Sequence, residues 1–536
     1  MNKTINNNYF IALLFVLSLV IFGRTLNYEF VWDDQRSHLT KHQDLMKGDL
    51  KAIWEKPYDG MYIPLTYTTW SFIKKAAYNE QTSQLDPKLF HGANVITHSI
   101  NCVLVFIILL LLFNNGTASF IGALIFLLHP LQIESVAWIS EFRGLYSSLF
   151  CLLSLYLLIK LFKGNLVKSF KDLLTSKYFI GATILFIMAL VAKPSAVTLP
   201  FIAALIIWCF YPDSLKSAAK ALSTWLLFFV PIALITSSSQ TNEVIPFISP
   251  LWARPFIAGD SIFFYLTKLI APFDLAGCYG KTPQLIMESG WMYLSAALVF
   301  GIFIFLFIKR IRYRFLFTAY CIMVVSILPV SGLISFYYQR FSNVADRYMY
   351  FSMIGISILI AHLWQSSAHT KNIRYIITIF IIVCTIFSYL QIPTWKNEFS
   401  MWDNAMKRHP DQWNAAYNRG VAYGKMNKLS EAIADYTVAI RFNPDDKNSI
   451  TNRANAYAQT KKFTEAITDY GRAIELEPND GSIYYNRALT YFYMGKLKSC
   501  VIDLNKAHEL KFPIDPKFTE AVKQAVIKQR ESKKPS

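Results

Sequence analysis

Long apolar runs divided by short basic loops fill the first three quarters of the chain, and a polar pattern repeating every 34 residues fills the rest. At about 20 residues per bilayer crossing, apolar runs long enough to span begin near residues 9, 91, 117, 144, 178, 195, 221, 291, 314, 348 and 373. The pattern predicts eleven membrane helices over residues 1–394, several of them short or broken by Pro, Gly or charge, as around AKPSAVTLP (192–200). No small-x-small cleavage site follows the first run, which reads on into IFGRTLNYE, so it is expected to stay as an anchor. A twelfth apolar segment, PFIAGDSIFFYLTKLIAP (255–272), carries Gly259, Asp260 and Lys268 and is expected to be re-entrant or to lie in the interface.

The tail changes period. Residues 411–444 recur as 445–478 and 479–512, with Asn418, Asn452 and Asn486, then Arg419, Arg453 and Arg487, then Asp435, Asp469 and Asp503 each 34 residues apart. Pro410, Pro444 and Pro478 precede successive units. That spacing, with Ala at the helix crossings, is the tetratricopeptide signature: each unit is a helix pair that buries its apolar face only against its neighbours. The expected organisation is all-α: a multi-pass membrane domain, a connecting helix at 395–410, three repeats over 411–512, and a capping helix with a basic tail at 513–536. Each repeated Arg is expected to pair with the Asp of its own unit rather than with a ligand, because charge stripes are usually structural. Tyr417, Tyr457 and Tyr491 suit an extended peptide, although rings at such positions commonly pack between helices.

Composition bears out the first reading: 54% of residues are hydrophobic and only 16% charged, too little charge for a soluble chain of 536 residues. The net charge of +18 would suggest nucleic acid in a soluble protein, but here the basic residues sit in loops between apolar runs and act as orientation signals. Lys160, Lys163, Lys168, Lys171 and Lys177, then Lys216 and Lys220, then Lys309, Arg310, Arg312 and Arg314, then Lys371 and Arg374, form four clusters. Placing all four in the cytoplasm puts the N-terminus inside, the first loop (27–90) outside and, with an odd number of spans, the repeats outside too. A twelfth span would reverse the last of these. The external side is the periplasm if the membrane is a bacterial inner membrane, or the lumen if it is that of the endoplasmic reticulum. The seven cysteines are scattered through apolar segments with no CxxC pair, and no phosphate-binding loop, dinucleotide fingerprint or HExxH motif is present.

Several segments in order carry a resemblance: NYEFVWDD (27–34), YIPLTYTTWSF (62–72), FHGANVITHSINCVLVF (90–106), HPLQIESVAWISEF (129–142), AKPSAVTLPF (192–201), VADRYMYFSMIG (344–355), and WKNEFSMWDNAMKRHP (395–410) running into the repeats. Over nearly its whole length the chain resembles the transmembrane and tetratricopeptide-repeat protein O-mannosyltransferase-like enzymes, which have the GT-C glycosyltransferase fold. The resemblance implies a sugar, expected to be mannose, moved from a polyprenyl-phosphate donor to a protein Ser/Thr hydroxyl by an inverting displacement. The repeats would recruit the polypeptide acceptor, and no nucleic acid is involved.

It also implies that an acidic residue of the first external loop takes the acceptor's proton, which singles out Asp33 and Asp34. Abutting carboxylates hold different protonation states, or one positions the other; Asp34, farther from Trp32, is preferred as the base. The leaving phosphate needs cations near the outer face. Arg347, Lys193, Arg143 and Arg340 are the candidates, each also explicable as a side chain snorkelling to the interface. His129 and Glu134, in HPLQIE, are further candidates for the phosphate, and one His with one Glu makes no metal site, so none is assigned. The family often reads ISERKD or ISERKN where this chain has ISEFRG (139–144), and an Arg where it has Ile63, so donor contacts carried by those motifs are in question. The competing reading is a non-catalytic, membrane-anchored repeat scaffold for envelope assembly. A scaffold has no need for the acidic pair and Arg347 to converge.

Overall fold

The computed structural model of the chain describes residues 7–34, 47–82, 84–164, 170–240, 247–367 and 371–531. Parts of the first loop (35–46 and 83), Lys168 of the basic loop after the fourth run, and the tail 532–536 lie outside the described residues.

The fold is all-α. Among the described residues the only paired strands are Tyr78–Asn79 and Gln84–Leu85, a two-residue antiparallel ribbon. The chain divides into two compact units at Met401/Trp402, a few residues past the boundary expected near Thr394.

In the first unit, a helix stands at each of the eleven apolar runs. The principal ones are α1 (Asn7–Phe22), α2 (Pro64–Ala77, a helix of the first loop), α3 (Pro87–Phe113), α4 (Gly116–Leu128), α5 (Ile133–Ala137), α6 (Phe142–Lys163), α7 (Lys177–Ala192), α8 (Leu199–Phe210), α9 (Phe229–Gln240), α10 (Arg254–Ile270), α11 (Trp291–Ile308), α12 (Arg314–Ile327), α13 (Met353–Ser366) and α14 (Lys371–Gln391). Six helical stretches among the described residues are long and apolar enough to cross a membrane: Asn7–Asn27, Pro87–Phe113, Ile139–Lys163, Pro212–Thr236, Trp291–Ile308 and Lys371–Trp395. A seventh is the pair Gly116–Leu128 and Pro130–Ala137, bent by 56° at His129, and four shorter apolar helices (Lys177–Ala192, Pro194–Phe210, Arg314–Val330 and Met353–Ser366) complete the runs. The protein is a membrane protein with short and broken helices where Pro, Gly and charge interrupt the apolar pattern. In segment 255–272 the re-entrant alternative is set aside: α10 runs without a break to Ile270, it is not among the helices long and apolar enough to cross a membrane, and Asp260 is buried in an ion pair with Lys281.

Breaks in helices leave backbone carbonyls without intrahelical partners, a serious cost away from water. Here α3 answers it. Asn94 donates to the carbonyls of Val136 and Trp138 at 3.2 and 2.8 Å, and Asn101, two turns on, donates to the carbonyl of Leu145 at 3.0 Å. The segment between α5 and α6 is thus tied to α3 through Asn94, and the first turn of α6 through Asn101.

The second unit is a succession of helix pairs: α15 (Trp413–Lys425) with α16 (Leu429–Phe442), α17 (Lys447–Gln459) with α18 (Phe463–Leu476), and α19 (Gly481–Tyr493) with α20 (Leu497–Glu509), closed by α21 (Pro516–Glu531). Small buried residues at the crossings (Ala416, Ala432, Ala454, Ala466, Ala488) bring the helices close, and Tyr470 fills the middle pair.

Candidate active site

The acidic pair is set by a strained turn. Trp32 adopts a left-handed backbone conformation (φ 57°) that a bulky residue rarely takes, and its ring stacks on Trp138 at 5.0 Å and 11°. The turn points the two carboxylates differently. Asp34 is fully buried: Oδ2 accepts the Val31 N–H at 2.9 Å, and Oδ1 accepts the Ser140 N–H at 2.9 Å and the Ser140 hydroxyl at 2.6 Å. Asp33 is half-buried, with Oδ1 3.2 Å from the same hydroxyl. Burial, followed by the charge of Asp33, raises the Asp34 carboxyl to about 7 from an ordinary 3.8, against the pull of the hydrogen bonds from Ser140 and Val31.

The next residue along, Glu141, gathers cations. Its Oε1 accepts Nε and Nη2 of Arg143 at 3.1 and 3.0 Å and lies 3.6 Å from Arg347 Nε, while its Oε2 accepts Lys193 Nζ at 2.8 Å. Glu134 clasps Arg347 at both ends, taking its Nη1 on one oxygen and its backbone N–H at 2.9 Å on the other. Aromatic faces complete the enclosure: the Arg347 guanidinium lies 4.3 Å from the Tyr338 ring centre and 5.2 Å from that of Trp138. A cavity of about 70 Å³ opens beside this cluster, lined by Lys193, Arg347 and Tyr348 and by hydroxyls of α6 and its neighbours, among them Ser147, Ser148, Ser195 and Thr198.

Asp33, Asp34, Arg143, Lys193, Arg347 and Glu134 therefore meet in one place. Two expected members do not. His129 is the cap of the broken helix: Nδ1 accepts the Leu131 N–H at 3.3 Å and Nε2 is 3.1 Å from the Leu269 carbonyl, so both ring nitrogens are engaged away from the cluster. Arg340 donates to the Tyr337 hydroxyl at 2.8 Å and lies against the rings of Tyr337 and Phe341. In the repeats, Tyr417 accepts from Asn452 at 3.4 Å and leans on Tyr436, Tyr457 packs against the core of the middle pair, and Tyr491 against that of the last. The site residues that sequence reasoning passed over are Ser140, Glu141 and Trp138. A signal existed: a carboxylate opening an otherwise apolar span cannot stand there without partners.

Residues 454–495 match the TPR repeat family, and 414–446 and 481–512 match the tetratricopeptide repeat family, so the second unit is a tetratricopeptide array. Beyond the repeats, the chain is 22% identical over 492 residues to the protein O-mannosyl-transferase TMTC3 of Mus musculus, covering 76% of this chain and 52% of that protein. It is 23% identical over 460 residues to the protein O-mannosyl-transferase F38B6.6 of Caenorhabditis elegans, covering 80% of this chain and 62% of that protein. The chain is similar in sequence to these protein O-mannosyl-transferases. It spans roughly half to three fifths of their length. Among solved structures, the Archaeoglobus fulgidus oligosaccharyltransferase superposes over 78% of this chain and 60% of its own, at 11% identity and a TM-score of 0.39.

The departures from the family pattern now have physical roles. Phe142 packs into the apolar cluster under the first loop with Trp70 and Tyr67, where Ile63 is also buried. Arg143 keeps the positive charge on Glu141. Gly144 leaves a space that a side chain would fill: a Cβ there would stand 2.8 Å from Glu141 Oε2 and 3.1 Å from Lys193 Nζ. Glycine at 144 leaves the Lys193–Glu141 contact uncrowded.

Proposed function

We propose that the protein is an integral-membrane glycosyltransferase of the GT-C type, moving a sugar, mannose by the names of its relatives, from a polyprenyl-phosphate donor to a Ser or Thr hydroxyl of a polypeptide. One observation carries the reading. A single dipeptide, Ser140–Glu141, is bonded through its first residue to the acidic pair and through its second to three cations. A base for an acceptor and a charged seat for a leaving phosphate are thereby built a residue apart, an arrangement a passive scaffold does not need.

In this reading Asp33 is the base. Asp34 spends both oxygens on buried donors and serves to orient the turn, whereas Asp33 is the half-exposed member of the pair. The acceptor hydroxyl gives its proton to the Asp33 carboxylate as its oxygen bonds to the sugar's anomeric carbon. The bond from that carbon to the phosphate oxygen breaks on the opposite face, inverting the configuration. The electron pair leaves on the phosphate, whose growing charge is met by Lys193, Arg347 and Arg143. The tetratricopeptide array holds the acceptor polypeptide on the external side, and counting every apolar helix as a crossing gives the eleven spans that side requires.

The test is transfer by the purified protein in nanodiscs, with polyprenyl-phosphate mannose and a Ser/Thr-rich peptide, read by mass spectrometry of the peptide. A mannosylated product that inverts the donor's anomeric configuration supports the reading. Absence of transfer under conditions where the donor binds would return the protein to the scaffold class.

A further inference from the structure

Glu141 is a puzzle for any site that must receive an anion. Its side chain is 1% exposed, and it already occupies the point where three cations meet. A carboxylate with one Arg bound through two nitrogens and a Lys on its other oxygen presents much the pattern of oxygens that a phosphate would present to the same donors. Without some anion there, three positive charges would repel one another in a poorly solvated pocket. Lys193 and Arg347 each touch both Glu141 and the cavity, so a group arriving in the cavity and the Glu141 carboxylate draw on the same two cations.

The two cations are not equally free. Arg347 is fixed by Glu134 at its guanidinium and its backbone and is 4% exposed. Lys193 sits at the break between α7 and the turn opening α8, with 20% of its side chain exposed and the cavity beside it.

We propose that Glu141 is an internal counter-anion standing in for the donor's phosphate: it gathers Arg143, Lys193 and Arg347 in the resting protein and yields Lys193 to a lipid-linked phosphate entering the cavity. The inference rests on the phosphate reading above and adds that the carboxylate and the phosphate compete for the same Lys193.

The experiment measures binding of farnesyl phosphate to the full-length protein in nanodiscs, with farnesol and inorganic phosphate as separate arms. Removing the competing charge in Glu141→Gln should tighten farnesyl phosphate binding about tenfold, the scale of one charge-assisted hydrogen bond, and leave farnesol unchanged. Tightening of inorganic phosphate as well would mean that the head group alone displaces the carboxylate; tightening of farnesyl phosphate only would mean that the lipid tail delivers it, and either supports the proposal. Equal or weaker binding by Glu141→Gln overturns it and makes Glu141 a fixed part of the seat. Should Glu141→Gln not fold, Glu141→Asp, whose shorter arm loosens its hold on Lys193, decides in the same sense with a smaller gain. Lys193→Ala separates the two levels: if it binds farnesyl phosphate as the wild type does, the phosphate reading itself fails. If it binds about tenfold more weakly while Glu141→Gln is no tighter, only the counter-anion idea fails.

Discussion

Arginine meets carboxylate in both units of this protein, and the two uses differ. In the repeats, Arg419, Arg453 and Arg487 each grip the Asp 16 residues on with two nitrogens at 2.7–2.9 Å, three times over in the same geometry. Each pair joins the two helices of one unit, and Arg419 also reaches Asp403 of the preceding helix at 3.0 Å. In the membrane unit nothing repeats: three cations crowd one carboxylate, a second carboxylate holds one of them, and an acidic pair stands alongside. The same pair repeated at the same offset is what a solenoid needs to stack its units. Converging charges of unequal number, kept from water, are what a reaction that moves charge needs.

The comparison breaks most completely if the two units face opposite sides of the membrane. A reporter fused after Pro513 is expected to read external and one fused within 160–177 cytoplasmic, as the basic clusters dictate. A cytoplasmic signal at Pro513 would end the acceptor-holding role of the repeats even if the membrane unit is an enzyme.

Next in size is the loss of the base. Asp33→Asn should lower transfer by about 10²–10⁴-fold with donor binding preserved, measured as turnover beside a donor-binding isotherm. Wild-type turnover in the variant would move the base elsewhere.

A paired substitution sharpens the contrast between the two kinds of arginine. Arg347→Ala should weaken donor binding by roughly one to two orders of magnitude, because it removes a charge-assisted contact to the phosphate and leaves Glu134 buried without its partner. Arg453→Ala should leave donor binding alone and cost the repeats about 1–3 kcal/mol, read by denaturation of residues 402–536 within the full chain. Equal effects on donor binding would erase the distinction.

The smallest effect is on pH. Folded protein keeps the Asp34 proton to about pH 7, whereas the unfolded chain releases it near 3.8. The folded form therefore binds more protons in that window, and stability should decline as pH rises through it and level off above 7. Thermal unfolding in micelles between pH 4.5 and 8 reads the slope, and Asp34→Asn should flatten it.

The repeats were open to view in the sequence because a period of 34 is written directly into residue identity, and the Arg–Asp pairs followed from their fixed offset within each unit. The membrane helices announced themselves by length and apolarity. The acidic pair and the three cations were found by residue type, position beside apolar runs and motif order. What no local pattern held was their division of labour. Asp34 is occupied by the backbone of Val31, three residues before it, and by Ser140, 106 residues after it, so only the fold tells the two aspartates apart. His129 stands at the end of an apolar run, where a histidine more often caps than binds, and it does cap the helix. For segment 255–272 the re-entrant alternative fell and the interfacial one stands: Asp260 finds Lys281 across a turn of chain, which lets the helix run on through a charged position.

The two amides of α3 carry a consequence for biogenesis. Asn94 and Asn101 supply the donors that the interrupted stretch from Val136 to Leu145 requires inside the bilayer, and they leave the ribosome some forty residues before it. These contacts need no residue made after Leu145, so they are available as soon as that stretch has been synthesised.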